Sequence, residues 1–166
     1  MWILTLCPGA LSALVDANIF IYYLGGVSAD CKTFLRHVAL GEVEAHITTA
    51  IVAEVVHRRM MAEAVTKRLI SPGQPLKKLK ANPTVIPRLT DYIMEIEKLL
   101  RLPLRITEIS VADIAASHDL RRRFGLFVND SINLACATRL RLTDIITHDA
   151  DFERVPGIQV WEPTDI

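Results

Sequence analysis

Five carboxylates are notable for where they fall along the chain. Asp16 closes the apolar run Ala13-Leu14-Val15. Asp149 and Asp151 come just after Ile145-Ile146-Thr147, with one residue between them. Asp130 follows the short link Leu126-Phe127-Val128, and Glu54 lies early in the long segment that succeeds a second strand-like run. In an open α/β sheet the carboxyl ends of the strands face one crevice, so four separate segments each deliver an acid to the same edge. Two carboxylates ~4.5 Å apart at an effective dielectric of ~20 repel by roughly 4 kcal/mol, and three or four together force some to stay protonated. A divalent cation removes that repulsion; hard Mg²⁺ or Mn²⁺ takes oxygen ligands and keeps several waters. Such an ion can generate a hydroxide and stabilise charge on a phosphoryl oxygen. With no zinc-type Cys/His set in the chain, an acid cage suits phosphodiester hydrolysis better than proteolysis.

These acids need a frame. Ala13 to Val15 reads as a short buried strand, with a helix from Asn18 onward. Phe34, Leu35, Val38 and Ala39 keep helical spacing up to Gly41. The run EAHITT is a strand whose Thr48 or Thr49 can cap the helix carrying Ile51, Val52, Val55, Val56 and Met60. RLTDYIMEIEKLLRL is a helix and LRITEIS a strand. VADIAASHDLRRRFG and NDSINLACATRLRL are helices, and DIITHD and GIQVWEP are strands. Strands alternating with helices predict a mostly parallel α/β sheet with helices on both faces, a three-layer α/β/α arrangement. The spacing assigns residues 13–166 to one domain, preceded by a leader or extra strand over 1–12. A Pro-rich, basic insert around 70–87 contains Lys77, Lys78 and Lys80 and reads as a loop or lid with one short helical turn at most.

Composition narrows the function. The 166 residues are 51% apolar with a formal net charge of zero. That suffices for a proper core and leaves no global electrostatic footprint for a nucleic acid, so a polyanion must be met by local basic patches. The odd cysteine count argues for reduced thiols in a cytoplasmic protein. The apolar start has no basic residue before Lys32 and is broken at Pro8-Gly9. It therefore suits neither a secretory signal nor a membrane span.

The pieces LVDANIFIYYL, ITTAIVAEVVHR, NDSINLACATRLRL and DIITHDADFERVPGIQV, taken in this order, make the chain resemble PIN-domain ribonucleases, particularly the VapC-like toxins of toxin–antitoxin pairs. The resemblance spans Leu14 to Val160. It implies a three-layer fold around a parallel sheet and Mg²⁺- or Mn²⁺-dependent cleavage of single-stranded or structured RNA. By motif position Asp16, Glu54 and Asp130 match the family's first three acids and Asp149 the fourth, with Asp151 as a substitute or supporting ligand. Asn18 and Thr147 match polar residues that orient carboxylates and waters. The resemblance also implies a homodimer and a cognate antitoxin as partner.

Plainer readings stand beside these. Asp130 suits a helix N-cap, Glu54 is favourable near a helix N-terminus whatever its function, and Asp151 suits a turn before Phe152. Asp16 has no evident structural partner. Arg121, Arg122, Arg123, Lys77 and Lys78 are candidate phosphate contacts, yet the arginine run also reads as a solvated helix end beside Gly125. Phe20, Tyr22 and Tyr23 read as core or dimer-interface residues, and His148 as a polar loop residue. Two other functions compete. An aspartate-nucleophile phosphatase or phosphotransferase would want a second aspartate where the chain has Asn18. A catalytically inactive scaffold binding RNA or protein would have no reason to retain mutually repelling acids.

Overall fold

The computed structural model describes residues 2–3 and 11–166. Among the described residues six strands form one sheet in the order β1-β6-β5-β2-β3-β4. They are β1 (Trp2–Ile3), β2 (Leu11–Val15), β3 (Val43–Thr48), β4 (Arg105–Thr107), β5 (Asp144–Ile146) and β6 (Gln159–Glu162). Every pairing is parallel, as the strand–helix alternation predicts. β2 starts at Leu11, two residues earlier than its apolar run suggests. Of the expected leader, Trp2–Ile3 pairs with β6, whereas Met1 and residues 4–10 lie outside the described residues.

The helices are α1 (Ala17–Gly25), α2 (Ala29–Ala39), α3 (Thr49–Thr66), α4 (Pro75–Ala81), α5 (Asp91–Leu99), α6 (Val111–Phe124) and α7 (Val128–Arg139). The main core lies against the sheet. Leu14, Ile145 and Ile146 from the central strands are at most 1% exposed and pack with Ile19, Phe20, Phe34, Ile51 and Leu134 from the helices. Because β2 continues to β3 on one side while β5 lies on its other side, the chain reverses direction across the sheet between β2 and β5. At that switch point the connections leave on opposite sides and open a crevice at the carboxyl ends.

The segment 70–87 is more helical than its prolines suggest. Pro75 opens α4, where its missing N–H costs nothing, and Pro83–Arg88 forms a 3-10 turn. Leu79, Val85 and Leu89 bury a second apolar cluster with Ala64 and Ile70. The Lys78 Nζ donates to the Ser71 and Pro72 carbonyls at 2.9 and 2.6 Å, tying down the turn before α4. This cluster sits on the far end of α3; ten residues at 1.5 Å each put Ala64 ~15 Å along the axis from Glu54.

One buried acid holds this end together. Glu63 on α3 accepts the backbone N–H groups of Thr90 and Tyr92, each at 2.9 Å, and pairs with Lys67 at 2.6 Å. It thereby supplies the cap that Thr90 does not, since α5 has no side-chain cap of its own. Burial opposes its ionisation, but Lys67 and the amides of Tyr92, Asp91 and Thr90 outweigh it and hold the carboxyl down to about 2. A second buried acid, Asp113, closes a capping box with Ser110 and takes a bidentate pair from Arg139 at 2.8 and 2.9 Å.

Candidate functional site

Asp16 sits where β2 stops and α1 starts, and it is the N-cap of α1. Its Oδ1 accepts the Ala17 N–H at 2.7 Å, and its backbone N–H continues the ladder to the Ile146 carbonyl at 2.9 Å. The carboxylate, without an evident partner in sequence, therefore has several in space. Oδ2 accepts the Asn18 Nδ2 at 2.8 Å and the Thr147 hydroxyl at 2.7 Å.

Thr147 is fully buried and uses its whole hydroxyl valence. It donates to Asp16 and accepts from the Asn18 Nδ2 at 2.9 Å and from the Asp149 backbone N–H at 3.0 Å. One hydroxyl thus links the ends of β2 and β5 and orients the turn that carries Asp149. Asn18 adds a second tie, accepting the His148 N–H at 3.4 Å.

The other acids arrive on helices. Thr48 ends β3 and caps α3, accepting the Ile51 N–H at 3.2 Å, and this places Glu54 in the second turn, facing the crevice. Asp130 lies in the first turn of α7. It is not the N-cap, which corrects its plainer reading: the capping position is Phe127, with no side-chain cap bond. Asn129, next to it, reaches Glu54 with its Nδ2 at 3.4 Å.

The result is a cleft of about 320 Å³ lined by Asp16, Ala17, Asn18, Ile21, Tyr22, Glu54, Arg58, Asp130 and Asp149. Four acids from four segments thus share one cavity. Burial raises the Asp16 carboxyl above its usual range against the opposing Thr147 and Ala17 hydrogen bonds, with the Glu54 and Asp149 charges adding to the rise. Asp130 is pushed up to about 6 by burial first, then by the charges of Asp16, Asp149, Glu54 and Asp151.

Other candidates lie elsewhere. Asp151 does not line the cleft and pairs with Arg154, while its backbone N–H donates to Asp149 Oδ1 at 2.9 Å. Arg121 is tied to the hydroxyls of Ser117 and Ser131 at 3.1 and 3.2 Å, and Arg123 lies over the Phe124 ring at 5.0 Å. Arg122 is exposed at the helix end beside Gly125, whose φ of 67° closes α6. None of these arginines lines the cleft, and neither do Lys77 and Lys78 on α4.

Four lining residues lie outside the site predicted from sequence: the apolar Ala17 and Ile21, and Arg58 and Tyr22. Arg58 follows Glu54 by four positions and so shares its helix face, a signal that was available. Tyr22 packs against the main core, as its sequence reading has it, and also lines the cleft, with its ring and that of His148 T-shaped at 6.0 Å between centroids. Nothing local distinguishes it from Phe20, which is fully buried.

Whether this cleft suits a cation is a question of donors and charge. All four acids offer hard oxygen, and burial first, then the charges of their neighbours, raises the carboxyls of Asp16 and Asp130. Among the described residues no three acid, histidine or cysteine side chains stand arranged to hold a bare ion. Mg²⁺ keeps several waters and takes only one or two carboxylates directly, so an acid-lined cleft suits it without three side chains in contact with the ion.

Residues 13–158 match the family model of the PIN domain. No curated protein matches the chain. Solved structures do share its fold. One is VapBC2 from Rickettsia felis bound to a DNA fragment from their promoter (16% identity, TM-score 0.60, covering 92% of this chain and 98% of that one). A second is a toxin–antitoxin complex from Klebsiella pneumoniae (24% identity, TM-score 0.54, covering 89% and 95%). A third is FitAcB from Neisseria gonorrhoeae (17% identity, TM-score 0.55, covering 93% and 99%).

Proposed function

The chain belongs to the PIN domain family, and from that premise we propose that it is a metal-dependent endoribonuclease, the toxin of a toxin–antitoxin pair. The observation that carries this reading is the meeting of Asp16, Glu54, Asp130 and Asp149 in one cleft at the switch point of a parallel sheet. Asp16 and Asp130 would hold Mg²⁺ or Mn²⁺, with Glu54 and Asp149 completing the set. Bound there, the ion would neutralise the acids and polarise a phosphodiester.

The chain's own groups have distinct tasks in this reaction. Thr147 and Asn18 hold Asp16 in one rotamer through its Oδ2, leaving it no freedom to turn away. Glu54 and Asp149 serve either as further ligands or as bases that take a proton from the attacking water. Water adds to phosphorus, the bridging P–O bond breaks, and the departing alcohol leaves with a proton. The phosphatase alternative finds no support in the cleft, because Asn18, where a second aspartate would be needed, donates to Asp16.

A cognate antitoxin is part of the proposal. Its support is that structures sharing this fold are described as a toxin–antitoxin complex and a VapBC2 assembly. A homodimer working in the cytoplasm completes it, and light scattering tests the dimer. Among the described residues no helix is long and apolar enough to cross a membrane.

Labelled RNA incubated with Mg²⁺ or Mn²⁺ tests the activity. Cleavage by the wild-type chain, lost in Asp16→Asn, in Asp130→Asn and in EDTA, is the expected result. Intact RNA alongside phosphate release from a small monoester would replace this reading with the phosphatase.

A further inference from the structure

The cleft has one basic residue among its lining, Arg58. Several other arginines are committed: Arg59 to Glu95 at 2.8 and 2.9 Å, Arg139 to Asp113, Arg105 to Glu44 at 2.9 Å, and Arg121 to two serine hydroxyls. Arg58 instead meets Glu54 at 3.9 Å with a side chain 61% exposed. A pair of that length at the surface is weak and screened, so the guanidinium is free to take a stronger acceptor. Tyr22 on α1 also lines the cleft, half-buried against the core, its ring in a T-shaped contact with that of His148. At 1.5 Å per residue, Arg58 lies ~6 Å along α3 from Glu54, and Tyr22 ~9 Å along α1 from Asp16. The two helices pack against each other.

Resting on the nuclease reading above, we propose that Arg58 and Tyr22 form the substrate-recognition wall of this cleft: the guanidinium takes a phosphodiester oxygen and the ring stacks an unpaired base, so the strand accepted is single-stranded. A cleft of four carboxylates repels a polyanion, and a planar five-donor cation on its wall gives the backbone a foothold. An aromatic face is sequence-tolerant and stacks a base only when that base is not already paired. The wall thus selects strand form and leaves base identity open.

The test reads binding rather than turnover. Anisotropy of a labelled single-stranded oligoribonucleotide is measured in EDTA and in Ca²⁺ with the wild-type chain, Arg58→Ala, Arg58→Lys, Tyr22→Leu and Tyr22→Phe. Arg58→Ala is expected to weaken binding about 10-fold and to lower the salt slope by about one phosphate, with Arg58→Lys partly restoring both. Tyr22→Leu is expected to lose about 10-fold, the scale of one stacked base, while Tyr22→Phe binds as the wild type does. An abasic strand removes the base without touching the protein; it should bind the wild type more weakly and Tyr22→Leu no more weakly than the intact strand. A duplex should bind worse and ignore Tyr22. Wild-type affinity in Arg58→Ala, equal binding of abasic and intact strands, or no binding at all overturns the inference. The expected binding pattern without any RNA cleavage in Mg²⁺ or Mn²⁺ leaves the recognition wall standing and removes the nuclease reading alone.

Discussion

Thr48 and Asn133, 85 positions apart, share a buried hydrogen bond of 2.7 Å. The Thr48 hydroxyl donates to Asn133 Oδ1 while accepting the Ile51 N–H that starts α3. Asn133 lies one turn beyond Asp130 on α7, and Glu54 lies six residues beyond Thr48 on α3. This contact therefore sets the distance between the helices that bring two of the four acids to the cleft.

Replacing Thr48 by Val keeps the shape but removes both the cap and the donor. An N-cap is worth about 1 kcal/mol, and an Asn133 oxygen left buried and unpaired costs about 1–3 kcal/mol. Urea unfolding is expected to show a loss of about 2–4 kcal/mol for Thr48→Val and a smaller loss for Thr48→Ser. A Thr48→Val midpoint equal to the wild type would mean that this bond does not hold the helices.

Thr147 acts on the cleft through Asp16. Thr147→Val removes the one hydroxyl that donates to Asp16 Oδ2 and accepts the Asp149 N–H. Loss of such an outer partner typically costs 10–100-fold in metal affinity or activity. The expected result is a fall of that size for Val and recovery in Thr147→Ser, measured both as RNA cleavage and as the Mg²⁺ concentration giving half of the thermal shift.

Asp130 makes the metal-free protein pH-sensitive. Its carboxyl is raised from 3.8 to about 6 by burial and by the neighbouring acids. A raised acid favours the folded state while protonated, so this contribution is fully present below pH ~4 and is lost as pH rises through ~6. The full shift corresponds to about 3 kcal/mol, and partial solvent exposure reduces it to about 1 kcal/mol. Without metal, Asp130→Asn is expected to be more stable than the wild type at pH 7.5 and about equal at pH 4. Mg²⁺ should raise the wild-type Tm more at pH 7.5 than at pH 5, where a proton competes for the site. A Tm shift independent of pH would count against the acids as the cation's holders.

Glu63 carries the opposite sign. Held down to about 2 from a usual 4.5, it contributes stability that is present above pH ~4.5 and lost as pH falls toward ~2. The shift corresponds to about 3 kcal/mol at most, lowered to about 1–2 kcal/mol by screening through the partly exposed Lys67. Glu63→Gln should lose stability at pH 7, and its unfolding curve should flatten between pH 5 and 2 relative to the wild type. Hydrogen exchange at the Thr90 and Tyr92 amides is the local readout, and unchanged protection there would sink the capping role.

What the sequence determined by itself was mainly local. Apolar spacing of 2 and 3.6 residues marks strands and helices because each element must bury one face, and their alternation dictates a parallel sheet. Asp16 could be placed at a strand end for the same reason: Ala13 to Val15 must be buried, and the chain must turn where they stop. The same rule puts Asp149 at the end of β5, whereas Glu54 and Asp130 reach the cleft on α3 and α7. Direction within a turn was a different matter. Asp149 and Asp151 are chemically alike and two positions apart, and only the Thr147 hydroxyl and the Arg154 side chain decide which of them lines the cleft. The arginine run was a candidate phosphate contact that read equally as a solvated helix end, yet Arg58, a single exposed cation, stands in the cavity because α3 turns that face inward. Residues 70–87 looked like a lid, but Leu79 and Val85 found burial against Ala64 at the far end of α3. These choices rest on contacts between residues tens of positions apart, whose energies depend on side-chain direction and on which neighbour arrives. Periodicity carries neither, so the tertiary structure alone could make them.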